Sequence, residues 1–277
     1  MIRRLLVLSC AAVVLGSCIF TPSTRNAGSL LRSTAGNLND IKSGELFMRL
    51  ETGVKDGKLS GFELKGPFSL ESSGDLPVAR LEDTHFEGDR KETATFVSTG
   101  SRAFAVVKNK TYALSKDKVG GLSAFVRRPG SSGESSAQLD VGKWMKGDRR
   151  VSAGGLVGGV DTDQVTTGLD TGAVLRGLVQ LARAFGAGRA AQLPTLSQGD
   201  VEPVREATKA ATMSVWTGKK DRILRKLVME AELAAGKDLS ERIKALAGIR
   251  IRLETTITKV NEPVKVEAPS GPIQPAG

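Results

Sequence analysis

Four sets of residues in this 277-residue chain could do chemistry, and the strongest is a thiol near its start. The chain opens MIRRLLVLSCAAVVLGSC. Arg3 and Arg4 form a short basic region, and residues 5–15 an apolar run of about eleven residues, within signal-peptide length and too short to span a bilayer. Leu15-Gly16-Ser17-Cys18 then sets an aliphatic and two small residues before a cysteine, the pattern of a lipobox. Small residues let the backbone lie flat in a peptidase cleft, and the thiolate is the nucleophile suited to take a diacylglyceryl group. Processing would leave Cys18 first, with lipid on its sulfur. Each buried methylene adds about 0.8 kcal/mol of membrane affinity, so two or more acyl chains anchor stably.

The other three sets are weaker. His85 is the one histidine. A Ser-His-Asp arrangement would need it, but Asp83 two residues away and scattered serines define no geometry, and His85 reads as a strand surface residue. Asp161 and Asp163 hint at calcium, yet the later Asp/Asn and terminal Glu of a calcium loop are missing, so they read as solvated strand positions. Gly154, Gly155, Gly158 and Gly159 do not fit G-x-G-x-x-G, and no G-x-x-x-x-G-K-[ST] occurs; they read as hairpin or bulge residues. No catalytic residue, metal ligand set or cofactor is expected. Cys10 would leave with the leader and Cys18 is consumed by lipid, so no disulfide is expected.

These groups need a scaffold, and the hydrophobic period supplies one. Leu30, Leu31, Thr34, Ala35 and Leu38 recur at helical spacing, predicting an amphipathic helix over 24–39. From Gly44 the period is two. Leu46, Met48 and Leu50, then Phe62 and Leu64, Phe68 and Leu70, Ala79 and Leu81, Ala94 and Phe96, and Phe104 and Val106 alternate with polar neighbours. Gly66-Pro67 reads as a break, and Asp56-Gly57, Gly74-Asp75, Gly88-Asp89 and Gly100-Ser101 as turns. The result is an antiparallel meander. Residues 127–137 read as a loop, Asp140 to Met145 as a capped helical turn, and 154–168 as a strand pair or bulged strand. Asp170 caps a helix to about Phe185, with Val174, Leu175, Leu178, Val179 and Leu181 on one face. Residues 190–203 read as a linker or short helix and 204–211 as weakly helical. Strands follow at 213–217, 223–233 and 249–258; in the last, Ile249, Ile251, Leu253, Thr255 and Ile257 alternate with Arg250, Arg252, Glu254, Thr256 and Thr258, one face dry and one wet. Trp144 and Trp216 read as core anchors. The sum is α+β: helices laid on one face of an antiparallel sheet.

Composition narrows function without naming it. Hydrophobic content is 40%, so a core can form, while aromatic content of 4% beside 32 glycines makes that core aliphatic. The net charge of +10 falls to +8 when Arg3 and Arg4 depart. Lysines and arginines are spread along the chain, which suits a solvated surface or anionic headgroups, each charge near a membrane being worth about 1 kcal/mol. No basic run is interleaved with aromatics, so no nucleic acid partner is expected.

Four stretches together are similar to a known family: GFELKGPFSLESSGDLPVARLE (61–82), LDVGKWMKGD (139–148), VGGVDTDQVTTGLDTGAVLRGL (157–178), and VWTGKKDRILRKLVMEAEL with ITKVNEPVKVEAP (within 215–269). In this order, behind a lipobox and a helix, they resemble the actinobacterial lipoproteins of the LppX and LprG type, which share the LolA-like half-barrel. The resemblance implies a curved antiparallel sheet, helices on its concave face, and an apolar cavity holding an acylated lipid or glycolipid that is carried through the cell envelope. It implies a monomer on the extracytoplasmic face of the cell membrane, with an envelope transporter as a candidate partner.

The expected organisation is therefore a signal peptide at 1–17, a lipidated tether at 18–23, a lipid-binding domain at 24–262 and a Pro-rich extended tail at 263–277. The expected cavity lining is Leu46, Met48, Leu50, Phe62, Leu64, Phe104, Val106, Val174, Leu178, Leu227, Met229, Ile249, Ile251 and Leu253. A structural or scaffolding lipoprotein with a packed core would show the same period-two pattern, so that reading stays open.

Overall fold

The computed structural model describes residues 25–54, 57–71, 76–115, 144–174, 198–234 and 248–275. The leader, Cys18, the tether, the loop at 127–137, Asp140, and Leu175, Leu178, Val179, Leu181 and Phe185 of the second helix lie outside the described residues.

Helix α1 (Arg25–Gly36) runs into a 3-10 turn, Asn37–Asp40. One meander follows: β1 (Ser43–Val54), β2 (Ser60–Ser69), β3 (Val78–Glu87), β4 (Arg90–Thr99), β5 (Ala103–Val107) and β6 (Lys110–Ala113). The second contains β7 (Met145–Val157), β8 (Val160–Leu169), β9 (Thr208–Gly218), β10 (Leu224–Leu233) and β11 (Ile249–Thr258), with α2 (Gln198–Ala207) before β9. A short β12 (Ile273–Pro275) ends it. The twelve strands make one sheet in the order β12-β6-β5-β4-β3-β2-β1-β11-β10-β9-β8-β7. Every pairing is antiparallel except β12 on β6. The fold is thus α+β, an open sheet with few helices.

Tight turns follow from residues that tolerate positive φ. Gly158 (φ 56°) and Gly159 (φ 80°) close the β7–β8 hairpin, and Lys108 (φ 48°) and Asn109 (φ 63°) close β5–β6, two left-handed residues each as a two-residue hairpin requires. The glycines near 154–159 are the hairpin and bulge residues that their spacing suggested: Gly155 (φ 69°) sits at a register shift between Ala153 and Gly155.

Several boundaries differ from the sequence reading. β2 runs straight through Gly66-Pro67, which had read as a break. Its ladder to β3 skips those two residues, so the missing Pro67 N–H breaks no bond. Met145 begins a strand instead of ending a helical turn, because β7 starts well before the glycines. Thr208–Ala211 are strand, so the weakly helical 204–211 is split between α2 and β9. β6 has only four residues and too little alternation to read, and β12 lies within the expected extended tail.

The core sits on one face, called the inner face here. Directly paired residues share a face, so one row can be followed across the sheet: Val151, Val165, Val215, Leu227, Thr255, Met48, Leu64, Asp83, Ala94. Helix α1 lies on this face through Ala27, Leu30 and Leu31, and the 3-10 turn after it through Leu38. Thr34, 2% exposed, bonds hydroxyl to hydroxyl with the fully buried Thr217 of β9 at 2.7 Å. The outer face carries ion pairs: Arg49 with Glu51 and Glu63, Lys65 with Glu82, Lys226 and Arg252 with Glu254, Lys259 with Glu45.

Gly66 has φ 141°, and a Cβ there would lie 2.1 Å from the Arg80 carbonyl oxygen. Gly66→Ala should destabilise the chain by about 2 kcal/mol or more, seen as a lower urea midpoint at unchanged m-value.

Candidate functional site

The inner face is not uniform along its strands. The row at the α1 end is closed: Thr217 and Ile257 are fully buried, and Leu46, Leu81 and Phe96 nearly so. The next row, with Met48, Leu64, Val165 and Leu227, is closed too, except at the β7 edge, where Val151 is 46% exposed. One step further the row reads Arg149, Thr167, Met213, Met229, Leu253, Leu50, Phe62, His85. Here Met213 and Phe62 are buried, while Leu50 and Leu253 are half-buried. In the last row Ala211, Ala231, Ile251 and Thr52 are all half-buried. An apolar face therefore passes from solid core to partly open surface over two strand steps, roughly 13 Å.

The expected lining residues divide accordingly. Leu46, Met48, Phe62, Leu64, Leu227 and Met229 are buried in the inner-face core. Leu50, Leu253 and Val174 are half-buried and packed against its margin. Ile249 and Ile251 are half-buried on the same face further out. Phe104 and Val106 are corrections. In β5 the residues paired toward the inner face are Ala103, Ala105 and Val107, opposite Ser98, Phe96 and Ala94. Phe104 and Val106 project from the outer face, where Phe104 and Val97 are both buried. The alternation in β5 was apolar on both faces, and only the register with β4 separates them. Leu178 and Cys18 lie outside the described residues.

Polar atoms on the inner face went unread in the sequence. Asp83 is 2% exposed; its Oδ2 meets His85 Nε2 at 3.2 Å while Oδ1 is buried without a hydrogen-bond partner. His85, expected at a strand surface, thus belongs to the inner face, its ring centroid 6.2 Å from that of Phe62. Thr255 Oγ1 is likewise buried and unpartnered. So are Arg225 Nη1, whose Nη2 binds Asp221, and Nε and Nη1 of Arg149. An apolar surface studded with unsatisfied donors and acceptors differs from an ordinary core, where such groups find partners.

Trp144 is 6% exposed within the core, as expected. Trp216 is half-buried on the outer face with Lys226 Nζ 5.5 Å from its ring centroid, so it anchors no core. Asp161 and Asp163 pair with Lys219 (3.0 Å) and Arg222 (2.8 Å). Among the described residues no group of His, Cys, Asp and Glu could hold a metal ion. A groove of about 590 Å³ lies on the outer face, its walls mixing Arg49, Lys65 and Lys91 with Glu63, Glu82 and Asp89. There the Lys65 amine is held above the ordinary lysine value by its bond to Glu82 and, secondarily, by Glu63.

One end of the face is fixed by Asp170. Its Oδ1 accepts the Ala173 N–H at 2.9 Å, capping the helical turn at 171–174, and both oxygens accept from Arg205 of α2. Burial would push this carboxyl up, but the Arg205 guanidinium and the Ala173 N–H outweigh burial and hold it below the usual carboxylate range.

Fold and site together define an open, mostly antiparallel half-barrel with an apolar inner face. Among the described residues no helix is long and apolar enough to cross a membrane. No family model matches the chain, and no curated protein matches it. Among solved structures, the crystal structure of LprF from Mycobacterium bovis aligns with 90% of this chain and 99% of its own, at 10% identity and a TM-score of 0.47. That of a LolA superfamily protein from Nitrosomonas europaea aligns with 87% of this chain and 96% of its own, at 12% identity and a TM-score of 0.22.

Asp170→Asn should lower stability by about 1–2 kcal/mol at pH 7. A carboxyl depressed by folding stabilises above its unfolded value, here 3.8, and that contribution fades as pH falls through the folded value. Thermal melts of both proteins between pH 2 and pH 7 should therefore converge only at the acidic end.

Proposed function

We propose that this chain is a lipid-anchored extracytoplasmic protein that binds an acylated lipid or glycolipid on the inner face of its sheet and carries it by reversible burial of acyl chains, without covalent chemistry. The carrying observation is the gradient along that face. Its apolar residues are sealed at the α1 end, yet Leu50, Leu253, Ile249 and Ile251 remain half-buried at the other. A filled core would have no reason to stop short of four large aliphatic side chains on neighbouring strands. Burying ten methylenes of a guest would contribute about 8 kcal/mol, enough to draw part of a lipid from a bilayer surface and still release it.

The lipobox supports the reading from the other end of the chain. Acylation at Cys18 would hold the domain where its guest resides, and the +8 charge would favour an anionic surface. An envelope transporter fits as a partner that would receive the guest. The sealed rows around Met48, Leu64 and Ile257 support the alternative, a scaffolding lipoprotein with a packed interior, for that half of the sheet.

The test uses the full chain with Cys18→Ser, so that any lipid found is a guest. Organic extraction followed by mass spectrometry should recover lipid in near-stoichiometric amount, and returning it to delipidated protein should raise the Tm, by about 2.7 kcal/mol of stabilisation at a hundredfold excess over Kd. Recovery of no lipid, with no shift from any envelope lipid, would favour the scaffold. Ile251→Trp should abolish recovery while leaving the melt of the delipidated protein nearly unchanged; a collapsed melt would show that Ile251 is tightly packed.

A further inference from the structure

Arg149 is out of place for a residue that only packs. It stands on β7 opposite Thr167, which is 3% exposed, and heads the row that continues through Met213, Met229, Leu253 and Leu50. Its Nε and Nη1 are sealed from solvent with no hydrogen-bond partner. Partial burial pushes its guanidinium below the ordinary arginine value, and no carboxylate among the described residues offsets that. The other charged side chains with an orphaned buried atom each have a counter-charge or ring partner: Arg225 has Asp221, and Asp83 has His85. A half-buried cation with two sealed donors and no counter-charge is costly to hold, and the cost falls when an anion arrives with its own acceptors.

The position says which anion. Arg149 lies four strand spacings from Leu253, roughly 19 Å along one row, comparable with the reach of a long acyl chain. Between them stand Met213 and Met229, unbranched and adaptable side chains that fit irregular hydrocarbon. A planar guanidinium fork matches phosphate oxygens in pairs and is more weakly hydrated than an ammonium, so it suits a semi-enclosed site. We propose that Arg149 is the headgroup site of the inner face and receives the phosphate of an anionic lipid whose acyl chains lie along Met213, Met229, Leu253 and Leu50. The assignment rests on the lipid-binding reading above and adds the class of headgroup.

Calorimetric titration of the delipidated full chain (Cys18→Ser) tests it with three probes: dihexanoyl phosphatidic acid, dihexanoylglycerol and inorganic phosphate. The wild-type residue should favour phosphatidic acid over the neutral diacylglycerol by about tenfold or more, the worth of a charge-assisted hydrogen bond. Arg149→Gln should erase that preference. Its lipid-free melt should rise by about 2–4 °C, because a half-buried charge without a counter-charge has gone. Should Arg149→Gln fail to fold, Arg149→Lys decides, since a point charge lacks the fork and the preference should drop severalfold. A preference unchanged in the substituted chains would overturn the assignment while leaving lipid binding intact. Inorganic phosphate bound as tightly as phosphatidic acid would also overturn it, making Arg149 a free-anion site. Failure of both lipids to bind the wild-type residue would instead sink the underlying lipid-binding reading, and the headgroup assignment with it.

Discussion

The seam between β1 and β11 is the constraint on which the molecule depends. Ten residue pairs, from Glu45 opposite Thr258 to Val54 opposite Ile249, join strands about two hundred residues apart in the chain. Each meander alone would be a ribbon with a naked edge. Joined, they form one surface on which the parity of every strand is set by its neighbour. A slip of one residue at the seam would turn Leu46, Met48 and Leu50 outward while Leu253, Thr255 and Ile257 stayed inward. The seam is locked from below, where Asn261 donates to the Asp40 and Ser43 carbonyls and Ser43 Oγ donates to the Glu262 carbonyl. It is held from the outer face by Lys259 and Glu45.

With parity fixed, the two faces take different tasks. The outer face between β3 and β10 satisfies itself with charge pairs, many contributing little singly in water. The inner face must be covered, and α1 covers only part of it. Thr34 and Thr217 show how the helix is held there: a hydroxyl pair inside an apolar contact, where misplacement would strand two polar groups. Beyond that contact the inner face trades closure for exposure, and orphaned polar atoms stand among the apolar ones on both sides of the change, Asp83 and Thr255 in the sealed row and Arg149 in the open one. That combination is what a ligand surface needs: apolar area for affinity, and a few unsatisfied groups for orientation.

Much of this was legible in the alternation of side chains. The strands around Leu46, Phe62, Leu81 and Leu253, the helix carrying Leu30 and Leu31, and the cap at Asp170 follow from period and capping chemistry. Sequence could not tell Phe104 from Ala105, because β5 is apolar on both sides and its register is settled only by pairing with β4. It could not carry β2 through Gly66-Pro67, since the skipped ladder positions that make this harmless belong to β3. Arg149 stayed hidden for a related reason. A register shift separates Lys146 from Arg149, and with two glycine-rich hairpin positions downstream the stretch has no clean period to mark which face it serves.

The outermost strands carry a further consequence. A sheet this wide ends in two edges, each capable of templating a foreign strand. At one, the three residues of β12 lie alongside β6 and close with Pro275, which brings no N–H to offer. At the other, β7 is bulged twice, with Gly147 and Gly155 both in left-handed conformations, so its row of donors and acceptors is interrupted. A copy approaching either margin meets a broken ladder. Molecules crowded on a common surface would thus resist zipping into fibrils, and the sheet can be twelve strands wide without becoming a seed for aggregation.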